Sequence, residues 1–361
     1  HIELCLACRG CETACPSGVE YGRLVEAARA EIQATIRRPL GTRLVRWFVF
    51  GHLLQSRLLL RIAGALTYLY EASGAQRLAR SSGILHSLGA LGRLEALAPP
   101  AEPPFFFDQI GKTFPAEGAR RYRIALMAGC IANVSFARLN EATVRVLQKN
   151  GCEVVVPGGQ TCCGALHVHS GLREEARRLA RRNIDAVLEG NFDAIITNAA
   201  GCGSTLKEYD ELLEGDPRAA EFTHLVQDVT EFLASNVLNR DMGEVDVTVT
   251  YQDSCHLAHG QRIRKSPRTL LAAVPGLTLR EMPLADLCCG SAGIYNVLEN
   301  EMSMAILESK MRNVNSTGAQ VIVTANPGCM LQLRAGARMH GTGQRVAHVV
   351  EILDEAYRAR R

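Results

Sequence analysis

From residue 121 onward, short apolar runs alternate with longer amphipathic segments. Arg123–Met127, Glu153–Val156 and Ala194–Thr197 read as strands, short and almost uniformly apolar. Near 138–149, 172–189 and 203–213, apolar residues recur every three or four positions, the period of a helix with one buried face. The pattern then starts again, with strands at Val245–Tyr251, Leu277–Glu281 and Val321–Thr324 and helices near 259–273, 293–312 and 329–339. Strands that alternate with helices favour α/β layers with mainly parallel sheets.

Upstream the pattern differs. A helical stretch runs from about Arg23 to Arg37, and Pro39 and Gly41 then punctuate it. Residues 42–98 are apolar, basic and mostly helical in period, with Trp47, Phe48, Phe50, Leu53, Leu54, Leu58-Leu59-Leu60, Leu66, Tyr68, Leu69 and Tyr70. Arg46, Arg57 and Arg61 interrupt this run, which never reaches the roughly 18–20 uncharged residues of a spanning helix. The expectation is a pair of helices packed against other protein, with a peripheral membrane face or a partner dock as the alternative. Pro99-Pro100, Pro103-Pro104 and Pro115 mark an extended linker. The predicted organisation is a ferredoxin-type region (1–38), a helical region (39–98), a Pro-rich linker (99–120) and two α/β repeats (121–240 and 241–361). In fold class this is an α+β or α/β chain.

Cysteine positions fix the register of the two repeats. Cys130, Cys162, Cys163 and Cys202 recur as Cys255, Cys288, Cys289 and Cys329, at offsets of 125, 126, 126 and 127 residues. Thr197-Asn198-Ala199-Ala200-Gly201-Cys202 is echoed by Thr324-Ala325-Asn326-Pro327-Gly328-Cys329. Four cysteines held in register over such a distance indicate a tandem duplication. Each vicinal pair precedes a glycine and a helical run. Adjacent cysteines rarely bridge each other, so they read as ligands. The outer cysteines follow predicted strands, whose carboxyl ends form the usual crevice of an open parallel sheet. One iron–sulfur or zinc site per repeat is expected.

The N-terminal run places Cys5, Cys8, Cys11 and Cys15 in the spacing C-x₂-C-x₂-C-x₃-C-P, the signature of a bacterial [4Fe–4S] ferredoxin loop. Structural zinc usually uses C-x₂-C pairs separated by a longer loop. In two-cluster ferredoxins the fourth cysteine serves the other cluster, so Cys15 and the first three await partners, a lone cluster bound by all four cysteines being the alternative. The chain begins at His1 rather than Met, and the complementary run is expected upstream.

Composition narrows the function. Of 13 cysteines, only Cys152 lies outside the three sets, and no secretory leader is visible, so ligation is favoured over disulfides. The hydrophobic fraction of 47% supports a substantial core, and the net charge of +3 is spread along the chain, without the basic aromatic-laced patch of a nucleic-acid binder. No strand–glycine-rich–helix fingerprint appears, so neither a flavin nor an NAD site is evident. Among nearby histidines (His167, His169, His256, His259), His256 is the best candidate for an additional ligand.

These stretches resemble the iron–sulfur subunits of bacterial glycolate oxidase, within the cysteine-rich CCG family that includes the CCG component of heterodisulfide reductase and lactate-utilisation proteins. Cys5 through Val19, Gly201-Cys202-Gly203 with Lys207-Glu208-Tyr209, Leu287 through Gly293, and Val323 through Asn326 carry the likeness. It implies an electron-transfer subunit that receives electrons from an FAD-containing 2-hydroxy acid oxidase subunit and passes them toward membrane quinone. It also implies a cytoplasmic location, peripheral to the inner membrane. In the CCG component of heterodisulfide reductase each repeat ends in C-x₂-C and its five cysteines hold non-cubane clusters. Here Thr205 and Gln332 stand at those last positions. The departure disfavours disulfide reduction and leaves a four-thiolate cluster, a zinc in one repeat, or a site in only one of the two.

Overall fold

The structure is a computed structural model that describes residues 1–361 except 88, 90, 91, 93, 94, 96, 97, 237 and 361. Part of the predicted helical region 42–98 therefore lies outside the described residues.

Two sheets form the body. The first contains β1 (Thr113–Phe114), β2 (Tyr122–Leu126), β3 (Cys152–Val155), β4 (Ala194–Thr197) and β5 (Val226–Asp228), in the order β1-β3-β2-β4-β5. The second contains β6 (Val247–Tyr251), β7 (Leu277–Leu279), β8 (Val321–Thr324) and β9 (Arg345–His348), in the order β7-β6-β8-β9. All pairs are parallel except β1 with β3. Matching β2 to β6 and onward superposes the two orders, and the register follows. Ile124 lies opposite Val154 and Ala194, and Val249 lies opposite Leu279 and Val321. The duplication seen in the cysteines therefore extends to the backbone ladder.

Strands β4 and β8 are buried at every position, because helices cover both faces of each sheet. Strands β1, β5 and β9 are absent from the sequence reading. Val-Gln-Asp and Arg-Val-Ala-His have little apolar pattern, and only pairing to a neighbour makes them extended.

The repeats meet reciprocally. Helix Ala137–Lys149, after β2, packs on Val349–Ala359, after β9, while Val229–Asn236, after β5, packs on Lys265–Ala272, after β6. The first long helix of each repeat thus meets the last helix of the other, a pseudo-twofold arrangement. Leu147, Phe232, Leu270, Val350 and Leu353 belong to one continuous core across this junction. Its rim is pinned by Arg145, whose Nε and Nη2 each donate across 2.9 Å to the Asp354 carboxylate. Near the pseudo-axis, Gly201 N donates to Asn326 Oδ1 at 3.4 Å.

Helices Leu40–Phe48 and Arg57–Ala72 lie against the first repeat. Phe50, Leu54, Leu60 and Val134 form a small core there. Gly64 permits the close approach, since a Cβ would stand 2.6 Å from Val134 Cγ1. No helix among the described residues is long and apolar enough to cross a membrane.

Candidate functional site

In each repeat three strands end beside one another, and each delivers cysteine. Cys130 follows β2, Cys162-Cys163 follow β3, and Cys202 sits in helix Ala200–Leu206 after β4. Cys255 follows β6, Cys288-Cys289 follow β7, and Cys329 sits in helix Pro327–His340 after β8. The central strands β2 and β6 run between neighbours reached in opposite directions, the switch point where open sheets bind ligands.

The glycine after each pair has a mechanical role. Gly164 and Gly290 adopt φ of 86° and 92°, turning the chain back so that their N–H groups point at Cys162 Sγ (3.5 Å) and Cys288 Sγ (3.4 Å). At Gly290 a Cβ would also stand 2.6 Å from the Ser303 carbonyl oxygen. The motif is thus a turn that presents two adjacent buried thiols to the cavity and gives the first a backbone donor.

Thiols neighbour one another in a chain, Cys130 to Cys162 to Cys163 to Cys202, and likewise Cys255 to Cys288 to Cys289 to Cys329. The two sets differ electrostatically. In the first, Cys130 is held well above the usual thiol range by its bond to Cys162 and by burial. In the second, contacts with Cys255 and Cys289 push Cys288 well below that range and contacts with Cys289 and Asn326 lower Cys329, while the same thiol contacts and burial hold Cys255 and Cys289 well above it. Asn326 Nδ2 donates to Cys329 Sγ at 3.4 Å, and Ser254 also acts on that sulfur. Their counterparts in the first repeat, Ala199 and Gly129, carry no donor side chain. Buried Lys310 adds a cation whose field reaches Cys288, Cys289 and Cys329, whereas the matching positions in the first repeat are Asn183 and Ile184. The second set is thus the one supplied with sulfur-directed side-chain donors and a buried cation.

The N-terminal loop docks on this second set. Ala7 and Arg9 take left-handed φ of 50° and 62°, winding Cys5, Cys8 and Cys11 into neighbourhood, and Ala7 N donates to Cys5 Sγ at 3.4 Å. Burial raises Cys8, and Cys288 acts on it electrostatically, as Cys8 acts on Cys255. His256 Nε2 donates to Ala7 O at 3.0 Å, Thr13 Oγ1 meets His259 Nδ1 at 2.8 Å, and Tyr295 OH donates to Leu4 O at 3.0 Å. Arg9 pairs with Glu208 of the first repeat. Cys15 stands apart, lowered by the N–H groups of Val19, Ser17 and Gly18, with no other thiol acting on it.

Eight cysteines of the two repeats line one cavity of about 330 Å³, together with Leu6 of the N-terminal loop. Cys152 lies elsewhere, in β3, where burial holds its thiol neutral with a pKa pushed up to about 12. Of the histidines weighed as ligands, His256 spends Nε2 on Ala7, His259 bridges Thr13 and the Asp286 carbonyl, and His167 Nε2 bonds Phe50 O. The docking contacts of His256 and His259, and the donors Ser254, Asn326 and Lys310, were not readable as site residues. The partners of His256, His259, Ser254 and Lys310 lie far away in sequence, whereas Asn326 stands three residues before Cys329 and only the fold shows that its amide turns onto that sulfur.

The donor set fits an iron–sulfur group. It offers thiols in fours, mostly buried, with N–H groups aimed at sulfur. The four thiols of each repeat edge one cavity, which leaves room for a group of several metal atoms.

Comparison with known proteins agrees. Residues 124–207 and 249–334 match the cysteine-rich domain family, and residues 41–98 match the linker region of glycolate oxidase iron-sulfur subunits. A probable glycolate oxidase iron-sulfur subunit of Bacillus subtilis (strain 168) is 43% identical over 98% of this chain and 82% of its own length. The glycolate oxidase iron-sulfur subunit of Escherichia coli (strain K12) is 28% identical over 99% of this chain and 82% of its own. Lactate utilization protein A of Oceanobacillus iheyensis is 30% identical over 64% of this chain and 96% of its own. A solved structure of a hypothetical protein from Helicobacter pylori covers 70% of this chain and 52% of its own at a TM-score of 0.47 and 11% identity, too slight to bear on fold or function. With family matches at linker and repeats and a relative aligned nearly end to end, this chain belongs to the glycolate oxidase iron–sulfur subunit family, electron-transferring components of an oxidoreductase.

Proposed function

We propose that the chain relays electrons through [4Fe–4S] groups from an FAD-containing subunit that oxidises a 2-hydroxy acid toward membrane quinone, at the cytoplasmic face of the inner membrane. Cys5, Cys8 and Cys11 hold three corners of one group, and Cys15 serves a companion group. Each four-cysteine set, Cys130/Cys162/Cys163/Cys202 and Cys255/Cys288/Cys289/Cys329, holds another. The observation that supports this best is the docking of the Cys8 loop on the Cys255–Cys288 set, with His256 joined to Ala7. A cubane group, when bound, accepts and releases single electrons. The residues fix its position through the thiols, wall it from water, and supply sulfur-directed N–H groups that set how readily it is reduced.

Anaerobically purified protein should contain iron and acid-labile sulfide in comparable amounts, and reduction should give more than one EPR signal. Cys288→Ser should lose one signal and leave the others. Zinc without sulfide would sink the proposal.

The cavity edged by both cysteine sets favours a second reading, reduction of a small disulfide with two electrons and two protons to give two thiols. Turnover of such a disulfide, abolished in Cys288→Ser and Cys289→Ser, would replace the relay as the chain's own chemistry.

A further inference from the structure

Helices Leu40–Phe48 and Arg57–Ala72 carry apolar residues outward. The first buries no residue, and Leu40, Leu44, Trp47 and Phe48, one helical face, are all exposed, Trp47 to 62%. Its inward side is polar, where the half-buried Arg46 donates through Nη2 to Ser170 O at 2.8 Å and Gln33 Oε1 at 3.0 Å. The second helix is apolar on both sides. Leu60 and Gly64 face the protein, while Leu58, Ile62, Leu66 and Leu69 form an uncharged outer stripe about 16 Å long. Such a stripe is costly to leave in water, so something covers it.

Charge identifies the occupant. Residues 37–80 contain eight arginines, no lysine, no aspartate and one glutamate, Glu71. Exposed Arg37, Arg43 and Arg77 form no ion pair among the described residues, whereas Arg61 and Arg80 pair with Asp108 and Glu95. Outward Trp, Phe and Leu flanked by unpaired cations, on helices too short to span, match a surface that lies in the lipid headgroup layer.

We propose that this face seats the chain on an anionic lipid surface, the outer stripes entering the headgroup boundary while Arg43 and Arg77 meet lipid phosphates. The proposal rests on the peripheral electron-carrier reading above, to which it adds the docking surface.

Trp47 is the chain's one tryptophan and therefore a built-in probe. Iron-loaded full chain is mixed with vesicles of phosphatidylcholine plus phosphatidylglycerol, and emission is followed with and without brominated lipid. The expected result is a blue shift, quenching by the brominated chains, and binding weakened at least about tenfold in Leu66→Glu/Leu69→Glu. Weaker binding to pure phosphatidylcholine and in Arg43→Gln is expected as well. No shift with anionic vesicles overturns the proposal. So does a shift produced by self-association without lipid, or only by adding the flavoprotein. Iron and sulfide measured in the same samples keep the two readings separate. A variant that leaves the vesicles but keeps its iron bears on docking alone, and a chain without sulfide overturns the carrier reading whatever Trp47 does.

Discussion

His256 donates from Nε2 to the carbonyl oxygen of Ala7 at 3.0 Å, joining the residue after Cys255 to the residue before Cys8. This bond and the Thr13–His259 contact hold the N-terminal loop to the second repeat. His256→Ala removes one of these bonds at a cost of about 1 kcal/mol. Hydrogen exchange should then quicken at residues 5–15 and stay unchanged in strands β6 and β8. Unchanged exchange in the loop would show that it is held by other contacts.

Glycine 290 is constrained twice, by its φ of 92° and by the Ser303 carbonyl 2.6 Å from any Cβ. Gly164 has the same turn, but its nearest atom, Ala176 Cα, lies at an ordinary 3.4 Å. Gly290→Ala should therefore destabilise by roughly 2–4 kcal/mol and Gly164→Ala by about 1–2 kcal/mol. Urea unfolding of the two variants measures the difference. Equal losses would mean that the left-handed turn alone sets the cost.

The duplication was legible because cysteines mark it at three strand ends, and because β2, β4, β6 and β8 are apolar enough to announce themselves. The electrostatic difference between the repeats was not. It lies in substitutions such as Ser254 for Gly129 and Asn326 for Ala199, which gain meaning only once the sulfurs beside them are located. The docking of the N-terminal loop was also hidden, since Ala7 and His256 stand 249 positions apart and share no pattern. Helix period marked residues 42–98 as mostly helical, but not that Leu66 points outward, because both sides of helix Arg57–Ala72 are apolar.

Asp228 and His348 end the last strands of their repeats, and each caps the helix that follows by accepting from the N–H two residues on, Thr230 at 2.8 Å and Val350 at 3.1 Å. Burial raises Asp228 to about 6 and lowers His348 to about 4. For Asp228 the folded value lies above the unfolded one, so the native state holds the proton more tightly. Its contribution falls as pH rises from about 4 to about 6, and its ionised form costs on the order of 1–3 kcal/mol at neutral pH. His348 acts oppositely, its contribution being complete above about 6.5 and lost toward pH 4. Asp228→Asn keeps an oxygen acceptor for Thr230. It should stabilise the protein more at pH 8 than at pH 5, as read by thermal unfolding. A gain independent of pH would mean that Asp228 is not the group responsible.

Lys310 is almost fully buried, and its Nζ donates to the carbonyl oxygens of Leu284 at 2.8 Å and Ala285 at 3.2 Å. No carboxylate lies within salt-bridge reach among the described residues, and its charge acts first on Cys289, Cys288 and Cys329 and then on Asp286. A fixed cation beside a thiolate-bound redox group favours the reduced form, which carries the extra negative charge. Lys310→Met should lower the midpoint potential of the signal that Cys288→Ser abolishes by roughly tens of millivolts, leaving the other signals in place. Lys310→Arg should restore most of the shift, because it keeps the charge. If Lys310→Met only destabilises the fold, by about 1–3 kcal/mol for the two unpaired carbonyls, the lysine is structural and the sulfur-directed donors alone distinguish the repeats.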